Sequence, residues 1–191
     1  MTNSTDKKQS FKPFGEEFFA HSALDVAPKL VGAVIRTRDV EIEIVETEAY
    51  MPYDSACHAY KGKTPRTQPM FEMGGCVYVY LCYGIHILCN IVTGEKDSGQ
   101  AVLIRAGRVV SGEDVVRNRR NGRIDLIGPG KVGQALGLSL QDSGKKLGDW
   151  FHIYPSQRDD IVSIKSDKRV GIDYAKPQDR DALWRFILMD P

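Results

Sequence analysis

Two glutamates lie one residue apart in the segment EIEIVETEAY, residues 41–50. Alternate side chains of a strand point to the same face, so this spacing predicts that Glu46 and Glu48 continue one row with Ile42, Ile44 and Tyr50. If that face is buried, each charge is costly to desolvate, and its like-charged neighbour raises at least one pKa. A carboxylate in such a setting is suited to general-base catalysis. The alternative is a hydrated strand end, and position alone does not choose between the two glutamates.

A second candidate feature is the segment VYVYLCYGIHILCN, residues 77–90, which predicts two strands joined at Gly84. Tyr83 lies at the bend, where small polar residues are usual. A bulky ring at the tip of a rigid hairpin has the shape of the wedges that enter between base steps of duplex DNA. The alternative is that the ring docks into its own domain or a partner, and the hairpin alone favours that interpretation.

The period of two also predicts which hairpin side chains share a face. These are Tyr78, Tyr80 and Cys82 on the first strand, and His86, Leu88 and Asn90 on its partner. The ordinary role of tyrosines in such positions is cross-strand packing. The pattern therefore brings together side chains that could take part in binding or catalysis, but it does not assign a function to them.

A thiol or metal hydrolase is a third possibility, built on Cys57, His58 and His86. Neighbouring residues of a strand point in opposite directions, so Cys57 and His58 make a poor catalytic pair. The histidines and cysteines also lack the spacing of a ligand set, and the sequence predicts no metal site.

The elements that would position these residues follow from local patterns. Segment 22–32 predicts a helix that starts near Ser22 or Asp25 and stops at Gly32. Strands are predicted at 33–37, 40–50 and 101–109, a long functional loop at 51–70, and a helix that opens at GPGK with Pro129 in its first turn. The rest alternates in short β-like pieces. We expect one α+β domain over residues 15–191, with a mainly antiparallel sheet, after a loose polar tail at 1–14.

Composition limits the class of protein. The chain has 191 residues, of which 42% are hydrophobic and 27% charged, as is ordinary for one globular domain. No apolar run approaches the ~20 residues of a membrane span, and the start lacks the apolar stretch of a secretory signal. Four cysteines are too few for a disulfide framework, so we expect reduced thiols. The net charge of +1 implies that any nucleic-acid footprint is local, for example at Lys61, Lys63 and Arg66 or in the segment RNRRNGR, although a solvated surface is the simpler interpretation of each.

Six segments together resemble the alkyladenine DNA glycosylase (3-methyladenine DNA glycosylase) family, in order and at similar spacing over about residues 18–188. They are VETEAY, CHAYKGKTPRTQPMF, VYVYLCYGIHILCNI, AVLIRA, GPGKVGQALG, and RVGIDYA with LWRF. The resemblance implies a single mixed α/β domain with a curved antiparallel sheet. It also implies a monofunctional enzyme of base excision repair, which excises alkylated or deaminated purines from duplex DNA with water as the nucleophile. Neither metal nor organic cofactor is implied, and we expect a monomer in the bacterial nucleoid or the eukaryotic nucleus.

Within this resemblance, Glu48 matches the general base of the family. Arg105 and the backbone carbonyl of Val170 match the groups that help this glutamate hold the attacking water. A non-catalytic reader of damaged DNA or structured RNA is the rival interpretation. The retention of Glu48 and Arg105 argues against it, since a pure binder has no use for a carboxylate near phosphates.

The base pocket and the DNA contacts are implied in the same way. Tyr50 and Tyr80 match the aromatic residues that sandwich the flipped base, His58 matches a residue that hydrogen-bonds its edge, and Asn90 matches the side chain that disfavours the 2-amino group of guanine. Tyr83 matches the residue that fills the gap in the base stack, and Gly130 with Lys131 match contacts to the DNA backbone. The segment after Gly171 departs from the vertebrate members, so the resemblance specifies no residue of the pocket's far wall.

Overall fold

A computed structural model describes residues 12–156 and 163–189. Among them are nine strands: β1 (Val34–Arg36), β2 (Glu41–Tyr50), β3 (Val77–Cys82), β4 (His86–Thr93), β5 (Gln100–Ser111), β6 (Leu126–Ile127), β7 (His152–Tyr154), β8 (Ser163–Asp167) and β9 (Arg185–Met189). The α-helices in the same ranges are α1 (Glu16–Phe19), α2 (Ala23–Leu30), α3 (Glu113–Arg119), α4 (Pro129–Leu136) and α5 (Pro177–Arg180).

The described strands form one antiparallel sheet in the order β3-β4-β5-β2-β1-β7. Strand β9 pairs with the far half of β2, β8 pairs with β9, and β6 pairs with β5. The predicted α+β class with a mainly antiparallel sheet is confirmed. The predicted tail at 1–14 lies mostly outside the described residues.

Helix α2 begins and ends as its sequence predicts. The Ser22 hydroxyl oxygen accepts a hydrogen bond from the Asp25 amide at 3.2 Å, which satisfies one of the free N–H groups of the first turn. Gly32, just beyond the helix, has a φ of +83°, a value that glycine adopts without strain. The buried face of α2 packs against the sheet and consists of Ala23, Val26, Ala27 and Leu30. The helix therefore covers the side of β2 that faces away from the two glutamates.

The predicted single row of side chains on β2 is wrong in one respect. The register against β5 shifts on both sides of Glu46, and regular alternation is interrupted there. Ile44 and Ala49, five residues apart, consequently both belong to the hydrophobic core. Glu48 and Tyr50 lie together on the opposite side, so Ile42 and Ile44 do not extend their row. Such irregularities redirect side chains and are frequent next to active sites.

Helix α4 packs closely on the hairpin strand β4. At Gly133 a methyl group would lie 2.0 Å from the carbonyl oxygen of Ile87, so only glycine permits this approach. Val132, Ala135 and Leu136 add to the core cluster on the side of the sheet that α2 also covers. The hairpin is therefore held by packing at its base, while its tip extends from the domain. No helix in the described ranges is both long and apolar enough to cross a membrane.

Candidate active site

A cleft lies on the side of the sheet opposite α2. It encloses about 510 Å³ between the β3–β4 hairpin, the strands β2 and β5, the loop after β2, and the segment after Arg169. Residues predicted for the site that line it are Tyr50, His58, Tyr80, Tyr83, Asn90, Arg105 and Val170. These positions span more than one hundred residues of sequence, and the antiparallel sheet brings them together.

Glu48 lies behind this cleft and is fully buried. Its Oε1 accepts a hydrogen bond from the Val170 N–H at 3.0 Å, and its Oε2 accepts one from the Tyr50 hydroxyl at 2.8 Å. The Nε of Arg105 lies 3.4 Å from Oε1. Two hydrogen-bond donors and one guanidinium charge thus surround a carboxylate without access to bulk solvent. The contact from Val170 is made by its amide, whereas the prediction concerned its carbonyl, whose role stays a prediction.

Glu46 has a different environment although it is only two residues away. Its Oε1 lies 3.1 Å from Arg105 Nε and 2.8 Å from Arg185 Nη1, so it is paired with two guanidinium groups. Arg105 therefore bridges the two glutamates, and Arg185 on β9 supplies the second positive charge. The tertiary structure distinguishes the two carboxylates that strand spacing leaves equivalent.

Burial raises the pKa of the Glu48 carboxyl above its ordinary value, against the lowering effects of the Arg105 charge, the Val170 N–H and the Tyr50 hydroxyl. Burial also raises the pKa of the Tyr50 hydroxyl well above its usual range, and the Glu48 charge adds to this effect. The tyrosine consequently remains a proton donor to the carboxylate at neutral pH. The carboxylate is oriented by its partners and is a stronger base than a solvated glutamate.

The inner wall of the cleft is built by a hydrogen-bonded group around Tyr78. His58 Nδ1 lies 2.9 Å from the Tyr78 hydroxyl, and the His58 ring lies edge-on to Tyr80 with centroids 4.5 Å apart. Asn90, paired with Tyr78 across β3 and β4, donates from Nδ2 to the Tyr78 carbonyl at 3.0 Å. Burial and the nearby Arg66 charge lower the pKa of His58 to about 4, so the ring is neutral at physiological pH. The predicted pocket residues are thus neighbours.

The sequence did not predict one part of the site, the buried ion pair of Arg169 with Asp54. Arg169 is buried and forms a two-pronged ion pair with the buried Asp54, one prong of which joins Nη2 to Oδ1 at 3.1 Å. Its guanidinium carbon lies 4.7 Å from the ring centroid of Tyr50 and 5.0 Å from that of Trp184. It also donates to the Ala49 carbonyl at 2.9 Å. Arg169 therefore fixes the back of Tyr50 and the chain that carries Val170.

No local pattern in the sequence would have identified Arg169, because its partners are distant along the chain. Two other cleft residues did have a signal. Tyr78 shares the predicted face of Tyr80, and Arg66, whose guanidinium carbon lies 5.5 Å from the Tyr80 ring centroid, belongs to the basic part of the predicted loop.

The hairpin tip presents the Tyr83 ring to solvent, with 86% of its surface exposed. Tyr83 and Gly84 have φ values of +50° and +72°, and the Ile85 N–H donates to the Cys82 carbonyl at 3.1 Å, which closes a tight turn. A positive φ is unfavourable for an aromatic residue. The alternative prediction, that the ring docks into its own domain, is not supported by this exposure.

The predicted DNA-backbone contacts lie at the start of α4. Gly130 packs against His86 of the hairpin, and the Lys131 ammonium pairs with Asp125. In the segment RNRRNGR, Arg117 pairs with Glu113, Arg119 with Asp39 and Arg120 with Asp125. Much of this positive charge is thus neutralised within the domain.

The thiol and metal alternatives find no support in the geometry. Cys57 donates to the Gly99 carbonyl while His58 contacts Tyr78, so the two do not meet. Burial raises the pKa of Cys57, Cys76 and Cys89 to about 12, which leaves them as unreactive thiols. Within residues 12–156 and 163–189, no group of three or more histidine, cysteine or acidic side chains could hold a metal ion.

Comparison with known proteins adds independent information. A sequence model of methylpurine-DNA glycosylases matches residues 17–191. The chain is 44% identical over 203 residues to a DNA-3-methyladenine glycosylase of Arabidopsis thaliana, covering 100% of this chain and 76% of that protein. It is also 44% identical over 177 residues to a protein of Nitrosococcus oceani provisionally named 3-methyladenine DNA glycosylase, covering 91% and 88% of the two chains. The chain belongs to the methylpurine-DNA glycosylase family of DNA-repair hydrolases.

Proposed function

We propose that this protein is a monofunctional DNA glycosylase that rotates alkylated or deaminated purines out of duplex DNA and hydrolyses their N-glycosidic bond. It acts as a monomer on chromosomal DNA. The observation that carries the proposal is the buried Glu48 carboxylate, held by two hydrogen-bond donors and the Arg105 guanidinium directly behind a cleft lined with aromatic rings.

In this reaction, Glu48 accepts a proton from water as the water oxygen bonds to C1′ of the sugar. The bond from C1′ to the purine nitrogen breaks, and its electron pair leaves with the base. Positive charge develops on the sugar before the new bond is complete, and a negative carboxylate beside it stabilises that charge. Because Glu48 is buried, solvent screens this interaction only little.

Glu48 is assigned the role of base because Glu46 is neutralised by two guanidinium groups. Both guanidinium groups contact Oε1 of Glu46 and hold this carboxylate in ion pairs. Arg105 instead bridges the two glutamates and orients Glu48. Val170, on the other side, contributes its amide N–H to the same oxygen of Glu48.

The walls of the cleft suit a flat purine. Tyr50 is backed by the Arg169 guanidinium, and Tyr80 by the His58 ring, so both aromatic surfaces are held in place. His58 is neutral, and a neutral imidazole offers one donor and one acceptor to an uncharged base edge. Asn90, fixed on the Tyr78 carbonyl, adds bulk at the inner wall, where it would disfavour the 2-amino group of guanine.

The exposed ring of Tyr83 completes the proposal. A nucleotide that leaves the duplex breaks its stacking contacts, at a cost of a few kcal/mol that is least for damaged bases. An aromatic ring at the tip of a well-packed hairpin can fill the resulting gap through the minor groove. Gly130 and Lys131, at the start of α4 beside the hairpin, would then contact the adjacent DNA backbone.

The rival proposal, a non-catalytic reader, would use the same wedge and aromatic cleft. It gives no reason for a fully buried carboxylate with a raised pKa behind the cleft, since such a group only lowers the affinity for phosphates. The buried Glu48 therefore favours the enzyme.

The test is the release of free base from duplexes that each contain one 3-methyladenine, 7-methylguanine, hypoxanthine or ethenoadenine. The wild-type protein should release at least one of them. Glu48→Gln should slow single-turnover release by ~10²–10⁴-fold or more, because the base and its charge are both lost. It should retain DNA binding. Glu46→Gln is the matched control one strand period away. If Glu46→Gln abolishes release and Glu48→Gln does not, the residue assignment is wrong.

A further inference from the structure

Tyr174 is a large aromatic residue that the proposed mechanism leaves unused. It lines the same cleft as Tyr50 and Tyr80, yet 72% of its surface is exposed. Exposure of this kind leaves an apolar ring in water, which is unfavourable unless something covers it in the working state. Its place at the cleft separates it from an ordinary surface tyrosine.

The segment that carries Tyr174 is firmly anchored on both sides of the ring. Ile172 and Ala175 are buried in a small cluster with Ala56, and Tyr50 packs against that cluster. The Ala175 N–H donates to the Ile172 carbonyl at 2.9 Å, which closes the turn around Tyr174. The backbone thus projects the ring outward because its neighbours point inward.

The hydroxyl of Tyr174 is also held in place, since it donates to the Ala56 carbonyl at 3.3 Å. Burial within the cleft raises the pKa of this hydroxyl, with Asp54 and Tyr83 adding to the effect. Tyr174 in turn contributes to the raised pKa of Tyr80, after burial and closer groups. The ring also lines the same cleft as Tyr80 and as Tyr83 of the hairpin tip.

A fixed, exposed ring that lines the cleft together with Tyr80 and Tyr83 is in a position to contact a base that enters the cleft from the duplex. We propose that Tyr174 contacts the extruded purine ring itself and forms the outer wall of the base pocket, as a binding and specificity residue of the glycosylase. This inference rests on the proposed function. An aromatic ring can stack on any base because every base has a π-face. The contact should therefore increase the affinity of the pocket for every extruded purine.

The decisive experiment compares two DNA ligands that differ only by the base. Binding is measured in the inactive Glu48→Gln background, with and without Tyr174→Ala, to a duplex containing hypoxanthine and to the same duplex containing a tetrahydrofuran abasic-site analogue. Tyr174→Ala should weaken binding of the hypoxanthine duplex about 5- to 150-fold, the ratio that corresponds to one stacked base. Binding of the tetrahydrofuran duplex should not change.

Tyr53→Ala is the matched control. Tyr53 is 62% exposed, packs edge-on against Trp184 and does not line the cleft, so its removal should leave both affinities unchanged. Tyr174→Phe should bind like the parent, since it keeps the ring and loses only the hydroxyl contact to Ala56. Thermal unfolding of all variants should coincide, because little buried surface is removed.

Three results would overturn the inference. Equal weakening on both duplexes would mean that Tyr174 contacts the DNA backbone. If binding to both duplexes is unchanged, Tyr174 contacts neither the base nor the DNA backbone. If Tyr174→Phe binds the hypoxanthine duplex as weakly as Tyr174→Ala does, the loss of affinity is due to the hydroxyl and not to the ring. Failure of the wild-type protein to release any base from the lesion panel would refute the proposed function separately, because the binding comparison needs no turnover.

Discussion

The Glu48 carboxylate is fully buried and is held by two hydrogen-bond donors and the Arg105 charge, and burial and these partners act on its pKa in opposite directions. Burial is the larger effect, so the pKa is raised above the ordinary glutamate value of 4.5. The base must be ionised to accept a proton. Its working range therefore begins at a higher pH than that of a solvated glutamate.

We predict that the single-turnover rate of base release rises with pH through one ionisation above 4.5, and that His58 adds no ionisation near 6.5, because its pKa is lowered to about 4. Arg105→Gln removes a charge that lowers the Glu48 pKa, so the ionisation should move to higher pH. The measurement is a pH–rate profile of the two proteins. A profile shifted by His58→Asn instead would contradict this assignment.

The same raised pKa predicts an effect on stability. A carboxyl group whose folded pKa lies above its unfolded pKa favours folding most at low pH, and that contribution is lost as the pH rises through the folded pKa. The neutral variant Glu48→Gln should therefore unfold at an equal or higher temperature than wild type at pH 7. Below pH 4.5 the difference should disappear. A large loss of stability at pH 7 would show that ionised Glu48 is a structural requirement.

At the scale of elements, the β3–β4 hairpin combines strict alternation with a strained tip. Alternation places Tyr78, Tyr80 and Leu88 toward the cleft, and the close approach of α4 at Gly133 supports the base of the hairpin. The tip carries Tyr83 at a φ of +50°, a conformation that costs a bulky residue about 1–2 kcal/mol. Strain retained at an exposed position indicates a requirement other than stability.

We predict that Tyr83→Gly unfolds at the same or a higher temperature than wild type, because glycine adopts the positive φ freely. Its binding to lesion-bearing duplexes should weaken, and excision should slow, because the ring that fills the stack is lost. Tyr83→Phe keeps the ring and should retain binding. The measurements are thermal unfolding and binding to one hypoxanthine duplex. Unchanged binding by Tyr83→Gly would restore the interpretation that the tip has no role on DNA.

At the scale of the whole molecule, the site joins the first third of the chain to its last quarter. The buried pair of Arg169 and Asp54 bridges 115 positions, and the Val170 amide reaches Glu48 across 122. Breaking one partner of a buried ion pair leaves an uncompensated charge, which is strongly destabilising. Strand β2, which carries Glu48, and residues 169–189 are thus fixed to each other by this pair and by the pairing of β9 with β2.

The chemistry of the whole site predicts a reaction that stops at the abasic site. Among the residues that line the cleft none is a lysine, and Lys131 nearby pairs with Asp125. We expect base release without strand cleavage, and no covalent complex when borohydride is added during turnover. Denaturing electrophoresis of the DNA and protein measures both. A trapped adduct would contradict water as the nucleophile.

Much of the fold could be predicted because local patterns suffice for it. Ser22 and Gly32 bound α2, alternation defines the hairpin, and Pro129 marks the first turn of α4. The short helix α5 and the two single-turn 3₁₀ helices within the predicted loop were not predicted. Their few residues give too little periodicity to be recognised.

The sequence by itself determined the strand that carries the glutamates, the hairpin with Tyr83 at its bend, and the resemblance to the family with the site residues that it implies. Strand spacing left Glu48 and Glu46 equivalent and the resemblance selected Glu48, but only the tertiary structure shows how their environments differ, because the difference lies in partners from β5, β9 and the segment after Arg169. It also decided which face of β2 meets the cleft, since the irregularity at Glu46 arises from pairing with β5. Burial and pairing depend on residues far apart in the chain, and local periodicity does not contain them.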